Sequence, residues 1–154
     1  MKRLKKTPNA ERRTSNVESS GNGVRAAEVP IRRYAARSYD LEERLLEFAV
    51  NIVEFVESLP NTKAGSHIAG QLLRCGTSPL SNHGEVEAAE SRKDFLHKLR
   101  ICLKELRETK RWLRLVGRLQ LANVSTLARC IAEADESIRI FVASVRTTER
   151  NEPR

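Results

Sequence analysis

The chain is poor in aromatic residues: one Trp, two Tyr and four Phe in 154 positions. No apolar run approaches the roughly 18 to 20 residues that a membrane-spanning helix needs, so an integral helical membrane protein is excluded. Three cysteines, Cys75, Cys102 and Cys130, form no CxxC pair and leave one over, which argues against a disulfide scaffold and for a reduced, cytoplasmic setting. The basic start Met1-Lys-Arg-Leu-Lys-Lys is followed by polar residues where a signal peptide would carry its apolar stretch, so secretion by that route is not expected. Catalytic signatures are missing as well. His67, His83 and His97 form no HxxxH or HExxH pattern and no Cys/His metal spacing, and neither GxGxxG nor GxxxxGK[ST] occurs. Of Glu85, Glu87 and Glu90, the last two could share a helix face. Asp94 with His97 is the one carboxylate followed by His at three residues, with no second copy to build a di-metal bundle site. Cys75, beside Gly76, is a conceivable reactive thiol, although a small buried hydrophobe is the simpler assignment. A non-enzymatic protein with no metal and no cofactor is expected.

The net charge of +8 is unevenly placed. Residues 1–37 carry ten Lys or Arg against three Glu, whereas residues 38–154 carry 18 basic and 17 acidic groups. That leading segment, with Pro8, Gly21, Gly23 and Pro30, has too little apolar surface to offset its ordering entropy, and is expected to be a disordered basic arm. It would serve either as an electrostatic arm for an acidic partner such as RNA or as a solvated leader. Residues 38–148 are expected to form the folded domain and 149–154 a disordered C-terminus.

From Ser38 the apolar pattern is helical. Leu41, Leu45, Phe48, Ile52, Phe55 and Leu59 recur at steps of four and three, Asp40 with Glu43 offers a capping box, and Pro60 enforces a stop. The outer side of this helix is acidic, with Glu42, Glu43, Glu47, Glu54 and Glu57. A second segment, about 65–89, places Ile68, Leu72, Leu73 and Cys75 on one side. Its Gly76-Thr77-Ser78-Pro79 leaves open a kinked helix or a break with a fresh cap at Asn82. A third helix, about 91–116, carries Phe95, Leu96, Leu99, Cys102, Leu103, Leu106, Leu113 and Val116, with Gly117 as the expected C-terminal cap. A fourth, about 124–146, has Leu127, Ile131, Ile138, Phe141, Val142 and Val145, with Asn123 or Ser125 as cap. No segment shows strand alternation. The expected fold is all-α, an antiparallel up-and-down four-helix bundle.

One constellation stands out on the third helix. Lys93, His97, Arg100, Lys104, Arg107, Arg111, Arg114 and Arg118 recur at alternating steps of four and three, and fall within about 100° of arc opposite the apolar side. Arg118 belongs to the ridge only if the helix continues past Gly117. Like charges at this spacing repel by a few tenths of a kcal/mol per pair, so local helix stability does not favour them. Three explanations follow: contact with the phosphates of RNA or DNA, pairing with carboxylates such as those of the first helix (in the same chain or a neighbouring one), or a solvated face. Ile101 and Trp112 lie to one side of the ridge, outside the main apolar arc. They would pack on the diagonal helix of the bundle or form an oligomer interface, where Trp is enriched. Only Tyr34 and Tyr39 are free aromatic candidates for stacking on bases, so any nucleic-acid binding should be backbone-level and salt-sensitive.

The stretch Gln71-Leu-Leu-Arg-Cys-Gly-Thr-Ser-Pro-Leu-Ser-Asn82, then Glu87-Ala-Ala-Glu-Ser-Arg-Lys-Asp-Phe-Leu-His-Lys-Leu99, Leu103-Lys-Glu-Leu-Arg-Glu-Thr109 and Trp112-Leu113, resembles the small bacterial four helix bundle proteins, also called 23S rRNA intervening-sequence proteins. The resemblance covers about residues 40–145. It implies an up-and-down bundle assembled as a barrel-like homopentamer, a kinked helix across Thr77-Ser78-Pro79, a turn near Ser91 and no established enzymatic activity. More distantly similar accessory proteins of diversity-generating retroelements form basic pentamers that engage nucleic acid. The chain departs from the family's pattern at Pro79 and at His83-Gly84, where an apolar residue is common. The expected partners are therefore further copies of the chain, RNA or DNA through the ridge, or alternatively a protein with acidic helix faces, and no membrane.

Overall fold

Each helix begins where a short polar side chain can take up a free backbone N–H. Asp40 accepts from the Glu43 N–H at 3.2 Å, Thr62 from Gly65 at 3.0 Å, Ser91 from Asp94 at 3.1 Å, and Asn123 from Ser125 at 2.9 Å. The computed structural model describes residues 40–150, which contain four helices and no strand. These are α1 (Leu41–Glu57), α2 (Lys63–Glu87), α3 (Arg92–Leu119) and α4 (Val124–Arg150). The expected arm at 1–37 and the two tyrosines proposed as stacking platforms lie outside the described residues.

The helices pack in a ring: α1 on α2, α2 on α3, α3 on α4, and α4 back on α1, with no close backbone approach across either diagonal, although His83 of α2 meets Phe141 of α4 edge-on with centroids 6.3 Å apart. Neighbours run antiparallel. Across the α2–α3 seam Lys98 meets Glu85 while Arg74 meets Glu105, and across the α3–α4 seam Arg100 meets Glu149 while Lys110 meets Asp135. In each seam residues earlier on one helix face residues later on the other. Phe48, Ile52, Leu72, Leu106, Leu113 and Phe141 are at the centre of a single core. Among the described residues no helix is long and apolar enough to cross a membrane.

Several boundaries differ from the sequence expectation. The fresh cap at Asn82 does not form, because α2 runs unbroken from Lys63 to Glu87 with Pro79 inside it. Proline removes one donor, but here the Thr77 and Ser78 hydroxyls donate to the Leu73 and Arg74 carbonyls one turn back, and the Pro79 ring is buried, so packing offsets the lost bond. Gly76 serves packing in the same stretch: a Cβ there would lie 2.7 Å from Ile52 Cγ2 of α1.

Gly117 is not a cap either. Helix α3 continues to Leu119, and Gln120 takes the left-handed conformation (φ 52°), donating its N–H back to Gly117 O. The smallness of Gly117 instead admits Leu127 of α4, which a Cβ would meet at 3.0 Å. Helix α4 extends to Arg150, so Glu149 and Arg150 are helical where the C-terminal tail was expected. Arg92 at the start of α3 donates to the carbonyls of Thr148 and Glu149, which an α-helix leaves without internal partners. The α4 stripe is also rotated from the expected one. Cys130, Ala134 and Ser137 are buried with Leu127, Phe141 and Val145, while Ile131, Ile138 and Val142 sit half-buried at its border. Small side chains mark this closest approach, which hydrophobicity alone does not rank.

Candidate nucleic-acid interface

The ridge exists as a physical surface. Lys93, His97, Arg100, Lys104, Arg107, Arg111, Arg114 and Arg118 are all exposed, and because α3 runs to Leu119, Arg118 belongs to the same helix as the rest. At about 1.5 Å per residue the line from Lys93 to Arg118 is about 38 Å long. Its inner counterpart, from Leu99 through Leu106 to Val116, is buried against α2 and α4, so the core fixes which way the cations point.

Electrostatic satisfaction within the chain is slight. Arg100 pairs with Glu149 at 2.7 Å. Among the described residues, Lys93, Lys104, Arg107, Arg111, Arg114 and Arg118 have no carboxylate within ion-pair distance. No ion pair joins the ridge to the acidic side of α1 among the described residues, since α1 and α3 are diagonal and their backbones do not approach closely. Near the end of the helix Arg111, Arg114, Leu115 and Arg118 line a shallow concavity of about 160 Å³.

The cations of α3 outside the ridge are, by contrast, engaged. Lys98 bridges to Asp94 at 2.9 Å and to Glu85 at 3.8 Å, and Lys110 pairs with Asp135. The Lys98 hydrogen bond holds the Asp94 carboxyl below its usual range, and Lys98 is correspondingly raised. Asp94 also accepts from the Glu90 N–H at 3.3 Å, so it closes the start of α3 and forms no acid–base pair with His97. Glu87 is the last residue of α2 and Glu90 lies in the following loop, so they share no helix face.

Trp112 and Ile101, expected at a second contact strip, are both half-buried. The Trp112 ring meets His67 of α2 edge-on, with centroids 5.8 Å apart, and its Nε1 donates to Glu108 at 3.4 Å. Trp112 thus packs on an adjacent helix of its own chain. The three cysteines are buried and free. Burial pushes each thiol up, Cys102 to about 11, and Cys75 is held among apolar groups beside Thr109, so none is poised as a thiolate nucleophile. Among the described residues no group of three or more His, Cys, Asp or Glu side chains could hold a metal ion.

Three features were not read from the sequence. Glu105 is buried on α3, and Arg74 of α2 reaches over to it at 3.5 Å and on to Glu108. A carboxylate at the edge of an apolar arc, one turn from Cys102 and Thr109, was the available signal for a cross-helix partner. Leu115 and Leu119 are exposed beside the ridge, and their four-residue spacing next to Arg111, Arg114 and Arg118 was the sign. The Arg92 and Arg100 clasp on the end of α4 left no local signal, because its two halves lie about fifty residues apart.

Residues 37–143 match the family model described as 23S rRNA-intervening sequence protein. A crystal structure from Bacteroides thetaiotaomicron VPI-5482, described as a protein with unknown function from the S23 ribosomal protein family, superposes with a TM-score of 0.64 at 34% sequence identity. That similarity covers 68% of this chain and 97% of the other. No curated protein matches the chain.

Proposed function

The chain belongs to the 23S rRNA-intervening sequence protein family, and from that premise we propose that it is a non-enzymatic, cytoplasmic, self-associating helical-bundle protein that binds RNA or DNA along the phosphate backbone through α3. The observation that carries the reading is the exposed ridge with six cations that pair with no carboxylate among the described residues. Six aligned cations confined to one side of one helix store mutual repulsion, which a polyanion relieves with release of its counterions. The contacts would be with phosphates, because Trp112 is committed to His67 and offers no open platform for a base. Little sequence preference and a steep salt dependence follow. Assembly as a homopentamer, implied by the resemblance, is part of the proposal and would multiply the ridge.

A second reading is supported by the outward carboxylates of α1: the ridge pairs with acidic helix faces of other protein copies, and nucleic acid plays no part. Anisotropy titrations of the full chain against labelled duplex and single-stranded RNA and DNA of mixed sequence separate the two. Binding that falls with salt, and that the double variant Lys104→Glu, Arg107→Glu weakens at least about tenfold with a flatter salt slope, supports the nucleic-acid reading. No binding at low salt, or binding untouched by that variant, overturns it.

A further inference from the structure

The large apolar side chains left exposed among the described residues fall into two groups on opposite corners of the bundle. Leu46, Val50 and Val53, 43, 44 and 41% exposed, line the outer side of α1 at steps of four and three. Leu115 and Leu119, 39 and 49% exposed, lie at the end of α3, with Val124 close by in sequence at the start of α4. Contiguous exposed apolar strips of this kind mark contact surfaces.

Their surroundings have opposite charge. On α1 the strip runs among Glu43, Glu54 and Glu57, all exposed and in no ion pair among the described residues. On α3 the leucines run among Arg111, Arg114 and Arg118, equally unpaired, and Leu115 shares their concavity. Nucleic acid does not suit the α1 side, whose carboxylates repel phosphate. A partner for α1 must offer an apolar strip flanked by cations, and the same chain carries one. It cannot use its own, because α1 and α3 are diagonal.

We propose that the outer face of α1 docks on the C-terminal end of α3 of a second copy, with Leu46, Val50 and Val53 against Leu115 and Leu119 and the α1 carboxylates opposite Arg111, Arg114 and Arg118. The two patches lie on diagonal corners, so one neighbour cannot engage both and the joint is heterologous: every copy gives one α1 and receives one, and the series either closes into a ring or runs on as a filament. The ridge is then divided along its length. Arg111, Arg114 and Arg118 belong to the joint, while Lys93, Lys104 and Arg107 stay open to a polyanion.

This inference rests on the self-association proposed above and specifies its surface. Its test is light scattering on nuclease-treated full chain, using one variant with Val50→Gln and Val53→Gln and another with Leu115→Gln and Leu119→Gln. Glutamine is a good helix former and the positions are exposed, so both should fold, with circular dichroism as the control. The parent chain should be a discrete assembly larger than a dimer and each variant a monomer. An equimolar mixture should give a one-to-one dimer, since one intact α1 and one intact α3 remain and the joint cannot propagate. A monomeric parent would overturn self-association altogether. An assembled parent with variants that still assemble, or a mixture that stays monomeric, would overturn only the α1-to-α3 joint.

Discussion

Helices α1 and α3 are alike on their inner sides and opposite on their outer ones. Both bury a mainly apolar stripe, from Leu45 to Val56 in one and from Leu99 to Val116 in the other, the second broken by the buried Glu105 and Thr109. Outside, α1 presents carboxylates and three apolar residues, whereas α3 presents cations and two leucines. Because they occupy diagonal corners of the ring, neither outer face can neutralise the other within the chain. The inner sides account for the fold, and the outer sides carry the contacts proposed above. Charge patterning that looks wasteful on a single helix becomes intelligible once the bundle shows which surfaces cannot meet.

That contrast breaks most strongly in the core. Phe48→Ala on α1 removes a fully buried ring and should destabilise the fold by about 3–5 kcal/mol, while Val53→Ala on the outward side of the same helix should cost under about 0.5 kcal/mol. Urea unfolding of the two variants measures the difference.

The Arg74 strap sharpens the comparison on the α3 side. Replacing Arg74 with Met leaves the buried Glu105 without its cation, and thermal or urea melts should show a loss of about 1–2 kcal/mol. The corresponding removal of a ridge cation, Arg107→Met, should leave stability unchanged or slightly raised, since it relieves repulsion.

Alkaline pH probes the inner side of α3 next. Cys102 is pushed up to about 11 in the fold from an ordinary 9.0, because burial penalises the thiolate. Its preference for the neutral form stabilises the fold fully below pH 9, and that contribution is lost as pH rises from 9 toward 11, where the unfolded chain gains a thiolate first. Urea midpoints should fall across that window, and less so in Cys102→Ala after allowance for its lower starting stability.

The smallest effect lies at the start of α3. Asp94, lowered by the Lys98 hydrogen bond, favours the fold above the ordinary carboxyl pKa and loses that contribution as pH falls through its own lower value. Asp94→Asn should flatten the acid limb of the stability profile by lowering stability slightly at neutral pH, with the two profiles converging at low pH where Asp94 is protonated.

Much of the architecture was legible because it depends on local periodicity. The stripe Leu45, Phe48, Ile52, Phe55 and the caps Asp40 and Asn123 follow from nearest turns of one helix, and so does the alignment of the eight ridge residues. Proline and glycine were harder to read. Pro79 left a kinked helix and a break both open, and the helix runs through it, whereas Gly117, expected as a cap, makes room for Leu127 without ending α3, because in both cases the deciding contact comes from a side chain or a partner helix outside the local pattern. Sequence alone therefore determined four amphipathic helices, the inner faces of α1 and α3 and one line of cations, since these obey the 3.6-residue repeat. Tertiary structure decided which helices are neighbours, that Arg74 covers Glu105, that Arg100 meets Glu149, and that the acidic side of α1 lies out of reach of the ridge. Those outcomes depend on the ring order of the bundle, a property of long-range packing that no local period encodes.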